Sequence, residues 1–414
     1  MFVLLILGFW AICLGGLWSW KKSLFTATWR EPYFADTLVL IESDDWGPGG
    51  DFHAERLYAL LSMFARHKDT VSRSAVLTAD VVLAVPDVAR MSQDLSGEYY
   101  RCMLDTHFPV IHQALLEGIQ HGTLVPQLHG LEHLNGSAFA TLCRHDDPRL
   151  ADTYANQGWW DWENLDSPLQ GHYVDGSHLP TTPITELEAE DVVQTATQNF
   201  TKLFGHPSLT TVAPCYLWND NIENQWRTHN IIGVQTAGYR CTGRDQNGNY
   251  IQDRPLIRFG NTNQFKQIYL VRNVMYEPVD GRTTASSAYS EAQIAYRQAQ
   301  PISISTHRYN FTRTEDECRN AISGLDRILT DIRSKLPNVR FLASPELVEF
   351  LHHRPDGITN HFNHQQWPTI NEAGFHRKLG AFLYRLYYRH RKLGIIAYCT
   401  GLIVPAWLIC RTSA

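Results

Sequence analysis

The chain predicts an α/β protein: a mostly parallel sheet, open or closed into a (β/α) barrel, flanked by N- and C-terminal transmembrane helices. Three observations carry this. Short apolar runs alternate with amphipathic stretches from Thr37 to Leu342, the pattern of strand–helix units on a parallel sheet. Phe2–Trp20 and Leu393–Cys410 carry no charged residue. The composition, 44% hydrophobic and 19% charged over 414 residues, supplies a large core and excludes a fibrous or wholly disordered chain.

Taken in order, residues 1–22 form the first segment. Nineteen residues from Phe2 span ~28 Å at 1.5 Å each, about one bilayer core. Met1 leads straight into the run, which ends in Trp18, Trp20, Lys21 and Lys22. That order lacks the basic lead and small-residue site of a cleaved signal, so an uncleaved anchor is expected.

Residues 30–352 form the central domain. Its expected strands are Thr37–Glu42, Ala75–Thr78, Thr123–Leu128, Ser208–Val212, Ile231–Gln235, Gln267–Val271, Pro301–Thr306 and Val339–Leu342. Amphipathic helices are expected at Ala54–His67, Phe108–Gln120, Glu186–Phe204, Glu291–Ala299 and Glu315–Leu336. The polar segment Asp146–Pro180, with Trp159, Trp160 and Trp162, reads as a long loop lining a groove.

Residues 370–392 follow, with Arg377, Lys378, Arg385, Arg389, Arg391 and Lys392 interleaved with Phe382, Leu383, Leu386 and Tyr387. This predicts a basic amphipathic helix on a membrane surface. Residues 393–410 are the second expected span, with Pro405 inside it. Both basic clusters lie on the central domain's side of the spans, which places that domain in the cytoplasm, at a bacterial inner membrane. Of eight cysteines, Cys13, Cys399 and Cys410 sit in the spans and the other five show no paired spacing, as reduced thiols do. Net charge is −6 and the basic residues concentrate at the ends, so the body is acidic. Membrane lipids are therefore expected partners and nucleic acid is not.

Polar residues at strand ends carry the chemistry. Asp44 and Asp45 end an apolar strand in Glu42-Ser43-Asp44-Asp45-Trp46-Gly47. Two adjacent carboxylates are costly unless something positive offsets them, and a cation would do so, one carboxylate as ligand and the other free as base. His129 and His133 follow another strand at a spacing that lets two imidazoles reach one ion. His307, ending a late strand in Thr306-His307-Arg308-Tyr309-Asn310-Phe311, suits a general acid or base. The exit Ala213-Pro214-Cys215-Tyr216-Leu217-Trp218 supplies pocket walls.

These four motifs in this order resemble the polysaccharide deacetylase (NodB-like) superfamily, and their wording looks like a bacterial membrane-anchored branch. The resemblance covers about Thr37 to Phe350. It implies an irregular seven-stranded (β/α) barrel and hydrolysis of an acetyl or formyl group from a sugar of a polysaccharide or lipid-linked glycan. Carried over by position, Asp44 is the general base and His307 the general acid. Asp45, His129 and His133 are the metal ligands, for Zn²⁺ first and Fe, Co, Ni or Mn as well. Trp46, Tyr216, Trp218 and Arg308 are the candidate substrate-binding residues. The sequence departs from the family pattern at Ser43 and Trp46, which flank the Asp pair. It also lacks, near Pro214, the arginine that orients the base, so either Arg308 or Arg240 replaces it or the base is tuned differently.

Other classes compete. His129-Gly130-Leu131-Glu132-His133 matches a metalloprotease string, but Pro126, Gly130 and Asn135-Gly136 leave no room for the long helix that chemistry needs. A glycoside hydrolase would pair Asp44 with Glu132 or Asp161. A membrane scaffold with a degenerate barrel would use none of these residues.

Overall fold

The computed structural model describes residues 1–94, 98–155, 160–352 and 370–413; Trp159 lies outside them. Nine parallel strands form the main sheet: β1 (Thr37–Trp46), β2 (Leu77–Val81), β3 (Leu124–Leu128), β4 (Thr210–Val212), β5 (Gly233–Thr236), β6 (Ile268–Val271), β7 (Val274–Met275), β8 (Ile302–His307) and β9 (Val339–Phe341). Their order is β6-β5-β4-β3-β2-β1-β8-β7, with β9 on β1. Only Arg272 and Asn273 separate β6 from β7, so the two ends of the sheet are halves of one bent run. The first half pairs with β5 and the second with β8. The sheet thus curls into a barrel of seven positions. It is irregular where β4 meets β3 at the single pair Leu128↔Thr211.

Side-chain alternation along β1 sorts the interior. Val39 and Ile41 join the outer core, packed with Leu57, Phe64, Leu325 and Ile328. Those partners lie on α2 (Phe52–Arg66) and on a long helix, Glu315–Lys335. Leu38 and Leu40 point inward with Leu209, Ile232, Leu270 and Leu347, a cluster that plugs the strands' N-terminal end. Further up the same inward face come Glu42 and Asp44, so the barrel is apolar at its base and ionisable at its mouth.

The helices follow from local chemistry. In α3 (Pro109–Gln120) a proline opens the first turn, and in α4 (Glu186–Phe204) Thr185 and Glu188 form a capping box. Next are α5 (Asp220–Thr228) and α6 (Ala285–Arg297). Then α7 (Glu315–Lys335) buries Cys318, Ala321, Leu325, Ile328, Leu329 and Ile332, one stripe at three- and four-residue spacing. After it comes α8 (Ser344–His352).

Outside the barrel, α1 (Phe2–Arg30) is one helix with non-helical torsions at Lys21, longer than the expected anchor. Among the described residues it alone is long and apolar enough to cross a membrane as a single helix. Residues 393–410 are not one helix. They split between α10 (Arg391–Cys399) and α11 (Ile403–Thr412), bent by 117° at Thr400–Gly401, where Gly401 has φ +73. Before them, α9 (Phe375–Arg389) departs from a simple surface helix. Arg385 is buried, donating to Glu31 Oε2 (2.8 Å), Gln298 O (2.7 Å) and Pro32 O (3.0 Å). Arg258 and Arg389 join it around Glu31, at 2.9 and 2.7 Å. Burial raises the Glu31 carboxyl, but Arg385 and Arg389 outweigh it and hold it low.

Candidate metal centre and active site

A regular strand would send neighbouring side chains to opposite faces. Asp44 and Asp45 escape this because β1 is irregular there. Its register with β2 shifts between Ser43 and Trp46, and Asp45 has φ +70. This bulge turns Asp45 back toward the barrel mouth, where Asp44 already points. Gly47 completes the turn at φ +142, with Val82 O so close that a Cβ would sit 2.1 Å from it.

His129 leaves β3 with Nδ1 2.9 Å from Val212 O. A carbonyl only accepts, so Nδ1 carries the hydrogen and Nε2 is left as a donor atom for an ion. His133 reaches the same point from a non-helical loop, its ring 5.1 Å from that of His129 and stacked on Trp162. Nε2 of His129 and of His133 lie 3.3 and 3.2 Å from Asp45 Oδ1. Two ligands ~2.1 Å from a tetrahedral ion stand ~3.4 Å apart, so the spacing fits. All three residues are buried and Asp45 Oδ1 has no hydrogen-bond partner, as expected of an atom reserved for a cation. One carboxylate and two imidazoles can hold a divalent ion and leave coordination positions open. Burial opposes ionisation of Asp45, yet His133 and His129 hold it far below the usual carboxylate range; burial brings His133 down to about 4.

Asp44 is gripped by Arg272, whose Nη1 and Nη2 donate to Oδ2 and Oδ1 at 2.6 and 2.7 Å. Arg272 lies between β6 and β7, wholly buried, and also donates to Asp80 Oδ2 at 2.9 Å. Burial would raise Asp44, but Arg272 and His129 keep it ionised. Asp80, buried and facing the Asp44 charge, is pushed well up. Across the mouth, His307 Nδ1 is 2.6 Å from Glu277 Oε1. Burial disfavours the imidazolium, yet Glu277 and Asp44 override it and raise His307 to about 10.

Arg272, not Arg308 or Arg240, is therefore the arginine on Asp44. Arg240, on the outer hairpin Arg240–Arg244/Tyr250–Arg254, pairs with Asp253 of that hairpin and with Asp220 of α5. Arg308 is buried, donating to Pro48 O at 2.8 Å and lying over Trp162. Trp46 and Trp218 are core residues, 0% and 1% exposed, bonded to Ser43 and Glu223. As placed, neither indole offers a face to a sugar. Tyr216 is half-buried, its hydroxyl 3.4 Å from Arg272. Glu132 points away from the mouth to Arg101 and Tyr99, so it serves neither as a protease base nor as a partner of Asp44. Sequence reasoning missed Arg272, Glu277 and Glu163. Burial and Asp45 push Glu163 well up, and its oxygens lack hydrogen-bond partners. Arg272 and Glu277 sit in or just past the bent β6–β7 run, whose bend no apolar pattern marks.

No family model matches the chain, and no curated protein matches it. Among solved structures it is similar to a family 4 carbohydrate esterase from Streptomyces lividans in complex with acetate: 10% identity, 76% of this chain and 95% of that one, TM-score 0.36. It is similar to the peptidoglycan deacetylase PdaC from Bacillus subtilis at 10% identity, 77% and 93% coverage and TM-score 0.35. It is also similar to a 4-alpha-glucanotransferase from Thermococcus litoralis at 8% identity, 75% and 40% coverage and TM-score 0.38.

Proposed function

We propose that this chain is a metal-dependent hydrolase that removes an acetyl or formyl group from the amine of a sugar in a polysaccharide or lipid-linked glycan. It would be tethered by α1 to a bacterial inner membrane, its barrel on the cytoplasmic side. The carrying observation is the convergence of Asp45, His129 and His133 on one point, with Asp44 and His307 beside it.

A divalent ion held there, Zn²⁺ or alternatively Fe, Co, Ni or Mn, supplies polarisation of the acyl oxygen and acidification of water. Asp44, kept ionised by Arg272, takes the proton of the attacking water. As oxygen bonds to the acyl carbon the C–N bond breaks, and His307 delivers its proton to the departing nitrogen. The products are a carboxylic acid and a free amine. Glu277 holds the His307 ring and favours its charged form, while burial of the mouth excludes competing solvent.

The test is metal content of the full chain beside Asp45→Ala and His129→Ala, with acetate or formate release from N-acyl sugars. About one ion per chain, lost with activity in both variants, is expected. A folded wild type that takes up no Zn²⁺ on reloading sinks the reading.

A further inference from the structure

We infer that α10 and α11 form a re-entrant hairpin that enters one leaflet beside α1, turns near the bilayer centre and returns to the side it came from. This rests on reading α1 as a membrane span.

The two ends of the pair decide the path. At its start, His390 follows α9, which is docked on the domain through Arg385 and Glu31. At its far end the chain comes back to the same helix. Cys410 Sγ donates to Gly380 O at 3.4 Å, and Ser413 Oγ fills the space where a Gly380 Cβ would be. Arg377 donates through Nη1 to Ser413 O (3.2 Å) and through Nη2 to Tyr296 O (2.6 Å), which ties the returning segment to α6 of the barrel domain. A crossing helix would instead carry Ser413 away from the domain.

The turn's depth is set by α1. Trp10 Nε1 donates to Thr400 O at 3.0 Å, and Thr400 Oγ1 donates to Ile396 O at 2.8 Å. Polar groups without partners cost several kcal/mol in hydrocarbon, and these bonds occupy groups exposed by the bend. From Trp20, at the charged end of α1, to Trp10 is ~15 Å of helix, half of a ~30 Å core. The nine residues of α10 rise ~14 Å, which matches that distance. Residues 2–9 of α1 continue alone through the other leaflet.

The exposed faces fit lipid. Ile395, Tyr398, Val404, Trp407 and Leu408 are all about half exposed or more. At the base sit Lys21, Lys22, Arg391, Lys392 and Arg411, at the level of anionic headgroups. The surface therefore takes the acyl chains of one leaflet, ringed by phosphate.

The test labels the full chain in right-side-out and inverted membrane vesicles with a membrane-impermeant maleimide. Single cysteines are placed at Thr412, Asp316 and Phe2, after the exposed native cysteines are made serine. Thr412→Cys and Asp316→Cys should shift in mass from the same vesicle face and Phe2→Cys from the opposite one. Thr412→Cys labelled from the face opposite Asp316→Cys makes the pair a full span and overturns the hairpin. Phe2→Cys labelled from the same face as Asp316→Cys overturns the span in α1 and the hairpin with it, but leaves the catalytic reading intact. A fluorophore at Tyr398→Cys gives the second readout. Quenching should be strongest by nitroxides low on the acyl chain, and strongest quenching at the headgroup overturns the half-depth turn.

Discussion

Asp44 and His307 are direct partners across β1 and β8, and His307 Nε2 lies 3.8 Å from Asp44 Oδ2. Adjacent parallel strands hold the two groups at one height, the arrangement that the proposed base and acid require. Asp45, one residue on, faces the histidine pair instead. This division predicts that Asp44→Asn loses about 10²–10⁴-fold in kcat with its metal content intact. Kinetics and metal analysis on the same preparation check it; loss of the ion would show that the two carboxylates do not divide the work.

The His307–Glu277 pair predicts a pH effect. An acid must be protonated to act, and raising its pKa to about 10 preserves that form far into the alkaline range. A bound cation repels the imidazolium, so the alkaline limb of the loaded enzyme falls below that value. Glu277→Gln removes the favourable charge, so the limb moves to lower pH, by about one to three units for a close pair. The pH profile of kcat/KM reads this. An unmoved limb removes His307 from the role of acid.

Arg272 answers four demands at once: both oxygens of Asp44, Asp80, and Glu42 at 3.5 Å from Nε. Replacing it with Met strands buried carboxylates, a loss of about 3–5 kcal/mol. Arg272→Lys keeps the charge without the two-pronged grip, so it should retain more stability than Met yet release Asp44 from its fixed orientation. Thermal unfolding of the two variants beside wild type separates the effects; equal stability of Met and Lys would deny the charge any structural role.

All eight expected strands formed, each within a few residues of its place, because every one is an apolar run that local composition marks. The candidate ligands and the Asp44–His307 pair were legible for a related reason, since Asp44, Asp45, His129 and His307 sit where an apolar run ends in a polar residue and His133 follows His129 at a four-residue spacing. Arg272 and Glu277 were not. Arg272 acts through a bend between β6 and β7, and its partner Asp44 is 228 residues away in sequence, so only the closed barrel joins them. Trp46 and Trp218 misled because an aromatic beside a catalytic motif reads alike whether it faces the groove or the core. In the second apolar run, hydropathy records that residues prefer lipid and not that the helix breaks at Thr400–Gly401 with a bend of 117°.

The bulge that brings Asp45 to the histidines supplies the last prediction. Asp45 holds φ +70, a strained backbone for a residue with a Cβ, and it depends on the turn that follows at Gly47. A Cβ at Gly47 would lie 2.1 Å from Val82 O and 3.1 Å from its carbon, which is backbone of the adjoining segment and cannot swing aside. Gly47→Ala therefore has to move the β1 exit, at a cost of about 2–4 kcal/mol. The same movement displaces Asp45 from His129 and His133, so metal affinity falls with stability. Gly205 is the control. It holds φ +76 with nothing within 4 Å of a Cβ, so Gly205→Ala should cost only the ~1 kcal/mol of a left-handed alanine and leave metal binding alone. Unfolding midpoints and Zn²⁺ titrations of both variants decide it. If Gly47→Ala lost stability but bound the ion as tightly as wild type, the bulge would not be what positions Asp45.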